Sequence, residues 1–354
     1  MLESGRRYDI DWLRVIAIGL LLIYHEAIGF QAWGFMFGFI ASGKSWEALW
    51  IPMTMLNVWR IPLLFFVSGM GVFFAIHYRN WKQLFLERTQ RILVPFVFGI
   101  FVVVPIHMYL WQLYYQQKPS YIPNPAHLWF LGNIFVYVLC LSPVFFYLKN
   151  NGDGKMVMGL KKVFRHPFGL VLVMLVFILE VVLVNPNVYE LYAMTWHGFF
   201  LGLFAFFFGF CFVLSGVPFW NRLAKGCWLF VGVAVLLYLY RLLQLPMKVN
   251  NSQLAIESIF WIFALFGFGY KHLNHPSKAL HYLSQAAYPV YILHMVFLFL
   301  GSMLVFPLEI SVQLKFILVW LLTVSGCFLL YECVIRRVNF LRFLFGLKPT
   351  SSTF

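Results

Sequence analysis

Long apolar runs separated by short polar segments make up most of the chain. Windows of about 20 apolar residues, the length that crosses a bilayer as a helix, fall near 12–33, 50–77, 92–115, 127–148, 168–185, 198–217, 227–246, 254–271, 283–305 and 313–335. The pattern predicts an all-α, polytopic integral membrane bundle of about ten transmembrane helices. The first run follows "SGRRYDIDW", a basic stretch such as opens a secretory signal, but it is long, holds His25 and Glu26, and ends without a small-residue cleavage site. It is read as a retained helix. No connection is long and no internal repeat is evident, so the expected organisation is one transmembrane domain over 1–340 and a short cytosolic tail over 341–354.

Composition agrees with the pattern, since 62% of residues are hydrophobic and 11% charged, against about 45–50% and 25% in soluble domains. The net charge of +14 does not point to nucleic acid, because the basic residues sit in short stretches between apolar runs and no nucleic-acid motif appears. The charge reports topology instead. With the N-terminus inside, most of the 26 Lys and Arg fall in cytosolic segments, while Lys44, Lys118, Arg241, Lys248 and Lys315 fall at outer ends or loops and Arg60 inside a span. That bias predicts both termini in the cytosol. The five cysteines lie in or beside apolar runs without metal-ligand spacing and read as small hydrophobes.

Ionisable residues inside such spans are expensive and usually functional. Arg14 and His25 share one face of the first helix, about 16 Å apart along its axis. Arg14 is expected at the cytosolic interface and His25 near mid-membrane, which suits a long ligand with an anionic head and a reactive end. The alternative reading is that Arg14 is an ordinary positive-inside anchor and His25 a buried histidine bonded to a neighbouring helix.

Five separated pieces carry a resemblance to a known family: Arg14-x10-His25 after "YDIDWLR", "RIPLLFFVSGM" from Arg60, "ERTQRILVP", "HLWFL" from His127, and "YPVYILH" ending at His294. In this order they resemble the membrane acyltransferases of the acyltransferase-3 type, over nearly the whole chain. The short form with "HLWFL" is most similar to members that add succinyl groups to periplasmic glucans. The resemblance implies a multi-pass protein of the bacterial inner membrane. Its implied activity is transfer of a succinyl or acetyl group from cytosolic acyl-CoA to a hydroxyl of an extracytoplasmic glycan or glucan. Acyl-CoA is then a co-substrate, and no tightly bound cofactor or metal is expected. "HE" at His25 and Glu26 is not a His-Glu-x-x-His zinc motif, because position 29 is Gly.

The residues support acyl transfer on their own chemistry. Arg88 and Arg91, at i and i+3, are expected to share a face at the cytosolic start of the third helix, where free N–H groups favour an anion. Two guanidiniums there suit the phosphates of coenzyme A, or alternatively anionic lipid. An imidazole at His25 can take a proton from an attacking hydroxyl at neutral pH. Glu26 and Arg60 lie at matched depths and are expected to pair, either simply pinning two helices or also orienting His25, with which they make up the catalytic group. Ser68-Gly69 reads as a close helix contact rather than a nucleophile. His294, with Tyr291 one turn before it, and His127 with Trp129 at the outer start of the fourth helix, are candidates for acceptor binding. Glu180, Arg241 and Glu257 gather toward the outer side. His77, His107, His166, His197, His272, His275 and His281 are placed near helix ends or loops and given no role. The competing reading is a transporter or flippase whose pathway is lined by His25, Glu26, Arg60 and His294; no pair of matching broken helices supports it.

Overall fold

The computed structural model describes residues 6–244, 247 and 249–348. The helices, in chain order, are α1 (Tyr8–Gly29), α2 (Trp50–His77), α3 (Trp81–Arg88), α4 (Val94–Phe98), α5 (Val104–Tyr114), α6 (Trp129–Asn150), α7 (Lys155–Arg165), α8 (Phe168–Val184), α9 (Trp196–Leu214), α10 (Val217–Gln244), α11 (Asn251–His272), α12 (Lys278–Val305), α13 (Val312–Leu330) and α14 (Asn339–Leu344). Among the described residues, 9 helices are long and apolar enough to cross a membrane, and α7 and α8, bent by 95°, form a further candidate pair. The window near 168–185 is therefore not a free-standing long span but α8, set at an angle to a short basic helix. The protein is an all-α polytopic membrane bundle.

The third span differs most from its expected form. It runs from Trp81 to Tyr114, starting well before residue 92. Asn80 and Gln83 explain the start: Gln83 N–H donates to Asn80 Oδ1 at 2.9 Å and Asn80 N–H to Gln83 Oε1 at 3.1 Å, a reciprocal cap that satisfies two free N–H groups. Arg88 and Arg91 thus sit beyond the first turn, and the expectation that free N–H groups assist them is corrected. Two π-turns interrupt this span at Thr89–Leu93 and Gly99–Val103. Each precedes a proline, Pro95 or Pro105, whose missing N–H breaks the ordinary ladder.

The chain forms two compact units: unit 1 is Met1–Ala17, Asn57–Leu86 and Asn133–Leu280, and unit 2 is Ile18–Leu56, Glu87–Gly132 and His281–Phe354. In unit 1, α2 and α9 meet backbone to backbone. A Cβ on Gly69 would lie 1.9 Å from the Phe206 carbonyl oxygen, and one on Gly209 would lie 2.0 Å from that of Phe66. Lipid gives helices no hydrophobic reason to associate, so such close approach by small residues supplies the packing. Ser68 Oγ donates to the Leu64 carbonyl at 2.7 Å, in keeping with its reading as part of a helix contact. In unit 2, Ile28, Phe30, Phe39, Ile40, Phe299 and Phe306 belong to one core between α1, the segment after it, and α12. Of the tail expected over 341–354, Phe345 is buried against Phe98, and residues 349–354 lie outside the described residues.

Gly69→Ala should destabilise the bundle by about 1–3 kcal/mol, the usual range for overpacking. Gly71→Ala, where nothing lies within 4 Å, serves as the control. Thermal unfolding of the detergent-solubilised variants, followed by tryptophan fluorescence, checks this; equal midpoints for the two would contradict the α2–α9 contact.

Candidate active site

His25 on α1 and His294 on α12 meet inside unit 2. Their rings are nearly parallel, 6° between planes, and His25 Nδ1 lies 2.8 Å from His294 Nε2. His294 Nδ1 lies 2.7 Å from the Tyr291 carbonyl, one turn earlier on α12. A carbonyl only accepts, so His294 carries its proton on Nδ1 and, when neutral, offers a lone pair at Nε2. His25 then donates through Nδ1, and its Nε2 is left as the basic nitrogen. The α12 backbone thereby sets the tautomer of an imidazole on another helix.

Two more histidines complete the cluster. His127 is presented by a short turn before α6, where Ala126 holds a left-handed φ of 38°. Its Nε2–H donates to the Ile292 carbonyl at 3.1 Å, and Tyr291 Oη donates back to the His127 carbonyl. The His127 ring meets His294 edge-on at 4.9 Å. His107, on α5, is 2% exposed, with its ring 5.5 Å from His127 and 5.4 Å from Phe299. It had been assigned to a helix end; it lies instead inside the long third span, behind Pro105. Its place within the apolar run 92–115 was the signal that could have found it.

The expected catalytic group is divided. Glu26 is buried in unit 2 beside His25 in sequence, but neither carboxylate oxygen accepts a hydrogen bond, and the Trp320 backbone N–H approaches without completing one. Arg60 is buried in unit 1, where its charge acts on Tyr192, a phenol that donates to the Val58 carbonyl at 3.0 Å.

Arg60 belongs to a second buried polar cluster at the end of unit 1 that carries the α8–α9 and α10–α11 connections. His197 Nδ1 lies 3.0 Å from both Glu180 oxygens, and both residues are almost wholly buried. This His–Glu salt bridge involves a histidine to which no role had been given. Arg241 bonds Glu257 at 2.9 Å and approaches Glu190 at 3.4 Å. Tyr189 and Tyr192 flank the His197 ring at 4.9 and 5.4 Å. Burial pushes both phenols up from their ordinary value, and Arg60 opposes the shift at Tyr192.

At the other end of unit 2, Arg91 pairs with Glu87 at 3.2 Å, and Arg88 and Arg91 both act on the phenol of Tyr288, on α12. Arg14 pairs with Asp11 on the first turns of α1. Trp129 is buried at 9% exposure with its ring 6.3 Å from Phe130. Among the described residues no group of three or more His, Cys, Asp or Glu is placed to hold a metal, and all five cysteines are free.

No curated protein and no solved structure matches the chain. A family model does: that of the acyltransferase-3 family, described as an acyltransferase domain, matches residues 7–332. It takes in both units' helices up to the last span, with His25, His107, His127 and His294 all inside it. The chain therefore belongs to the acyltransferase-3 family of membrane proteins.

Proposed function

We propose that the protein transfers an acyl group, of succinyl or acetyl type, from cytosolic acyl-CoA to a hydroxyl of an extracytoplasmic glycan or glucan. His25 is the general base. One observation carries this reading: the Tyr291 carbonyl, through His294, leaves His25 Nε2 as the unprotonated nitrogen. The acceptor hydroxyl gives its proton to His25 Nε2 as its oxygen attacks the thioester carbonyl. His25 becomes an imidazolium, and its Nδ1–H bond to neutral His294 strengthens as charge develops. The C–S bond then breaks, and the departing thiolate takes the proton back from Nε2. A thioester is already activated, so a base and positioning supply most of the acceleration.

Arg88 and Arg91 are assigned to the phosphates of the donor, with Arg14 as a further basic group. On the third span, Arg91 and His107 are separated by about 24 Å at the ordinary helical rise, a length suited to a thin arm running from a phosphate clamp to a reactive end. Glu26 is assigned to positioning beside His25, and Arg60 to the polar end of unit 1. His127 and Tyr291 hold the cluster to α12, and Trp129 supports the turn on the acceptor side. Both termini are placed in the cytosol on the charge bias, and the membrane is placed as the bacterial inner membrane on the family resemblance.

His25→Ala should abolish acceptor-dependent release of CoA thiol from succinyl-CoA. Retention of more than about a tenth of the rate, less than ~1.4 kcal/mol of barrier, removes His25 as the base. His294→Ala should lower kcat about 10- to 100-fold, as loss of a group orienting a base does. His294→Gln, whose amide oxygen can still accept from His25 Nδ1, should recover part of that loss; equal rates for the two would reject the tautomer relay.

Sidedness gives a separate check. In proteoliposomes with the cytosolic face outward, external acyl-CoA should acylate a glucan trapped inside. Acylation only when both substrates share a side would reject transfer across the membrane while leaving the transferase assignment intact.

A further inference from the structure

The segment after the last span returns to the arginine pair. Phe345 is 4% exposed and packs on Phe98 with ring centroids 5.4 Å apart. Gly346 follows with φ +68°, and a Cβ there would lie 2.7 Å from the Arg91 carbonyl oxygen, 2.9 Å from the Tyr288 ring and 3.0 Å from Pro95. Pro95 is the residue whose N–H would otherwise bond that carbonyl, so the glycine sits against a break in the helix. Any larger residue meets two obstacles at once, the left-handed backbone and the contact with main chain.

Tyr288 is the residue this segment braces. Its hydroxyl is fully buried and has no hydrogen-bond partner, an unfavourable state for a phenol. Both Arg88 and Arg91 act on it. Glu87 occupies one Arg91 nitrogen, at 3.2 Å, and a guanidinium has five N–H donors. Arginine donates only, and a phenol that finds no acceptor among its neighbours has a proton to give. The Arg91 backbone and the Tyr288 ring meet at Gly346, which sets the Tyr288 hydroxyl beside the arginine pair, and a phosphate oxygen is the partner that complements a phenol and guanidinium donors.

We infer that the Tyr288 hydroxyl, held in place by the docked segment around Gly346, is a third donor to the phosphate group bound by Arg88 and Arg91. This rests on the reading of the donor as an acyl-CoA. It assigns a binding role to residues beyond 332, outside the part of the chain matched by the family. Tyr288 and His294 lie six residues, about 9 Å, apart along α12, so one helix carries both this donor and a member of the histidine cluster.

Isothermal titration of the full-length protein in detergent with coenzyme A provides the test. Arg91→Ala should weaken binding at least tenfold, and high salt should reproduce part of that loss. Tyr288→Phe, which removes only the hydroxyl, should weaken it about five- to tenfold. Gly346→Val, which displaces the segment, should act in the same direction. If Arg91→Ala weakens binding while Tyr288→Phe leaves it unchanged, the inference is overturned and the acyl-CoA reading stands. If the wild type does not bind coenzyme A, or Arg91→Ala binds it equally well, both fall. Should Gly346→Val fail to fold, Tyr288→Phe decides alone.

Discussion

The hydrogen bond from His294 Nδ1 to the Tyr291 carbonyl is the constraint on which the histidine cluster depends. An imidazole in lipid has no water to choose its tautomer, so the choice falls to the nearest fixed acceptor, here the backbone of its own helix. Once His294 Nδ1 holds the proton, Nε2 must accept, His25 Nδ1 must donate, and the orientation of the whole pair follows. The paired bonds between His127 and residues Tyr291 and Ile292 then tie the start of α6 to the same turn of α12. Movement of that turn would therefore disturb both histidines together.

Much of this was legible in the sequence, and what was not has specific causes. Spans were legible because about 20 apolar residues can hardly fold otherwise in lipid. His25 and His294 stood out because imidazoles are rare at such depth. His107 was read as near a helix end although it lies within the apolar run 92–115; Pro105 and the π-turn before it carry the helix through instead of ending it. The early start of the third span was written in Asn80 and Gln83, but a cap read against the polar stretch "RNWKQ" looks like loop. Glu26 was expected to pair at its depth, and neither of its carboxylate oxygens accepts a hydrogen bond. Counting residues gives depth along an axis, and only packing gives the rotation of each helix around it.

Unit 1 shows a different use of buried charge. His197 with Glu180, and Arg241 with Glu257 and Glu190, join elements that are remote in sequence at one end of the unit. Removing one partner of such a pair leaves a buried charge uncompensated, which costs more than the pair contributes over an apolar substitute. Close glycine contacts join α2 and α9 farther along, at Gly69 and Gly209.

Proline has an active part in unit 2. Each interior proline frees a carbonyl four residues earlier, and in lipid that carbonyl must be accommodated. Pro105 frees Phe101, whose carbonyl accepts from the Tyr121 hydroxyl at 2.8 Å, so the connection after α5 is tied back to the span. Pro95 has no N–H to give the Arg91 carbonyl, and a Cβ at Gly346 would lie 2.7 Å from that oxygen. The first break recruits a hydroxyl and the second recruits a chain segment. The two breaks, at Thr89–Leu93 and Gly99–Val103, interrupt regular helix along the stretch that runs from the arginine pair to His107. A regular ladder there would satisfy its own backbone and offer neither Tyr121 nor Gly346 a place to dock.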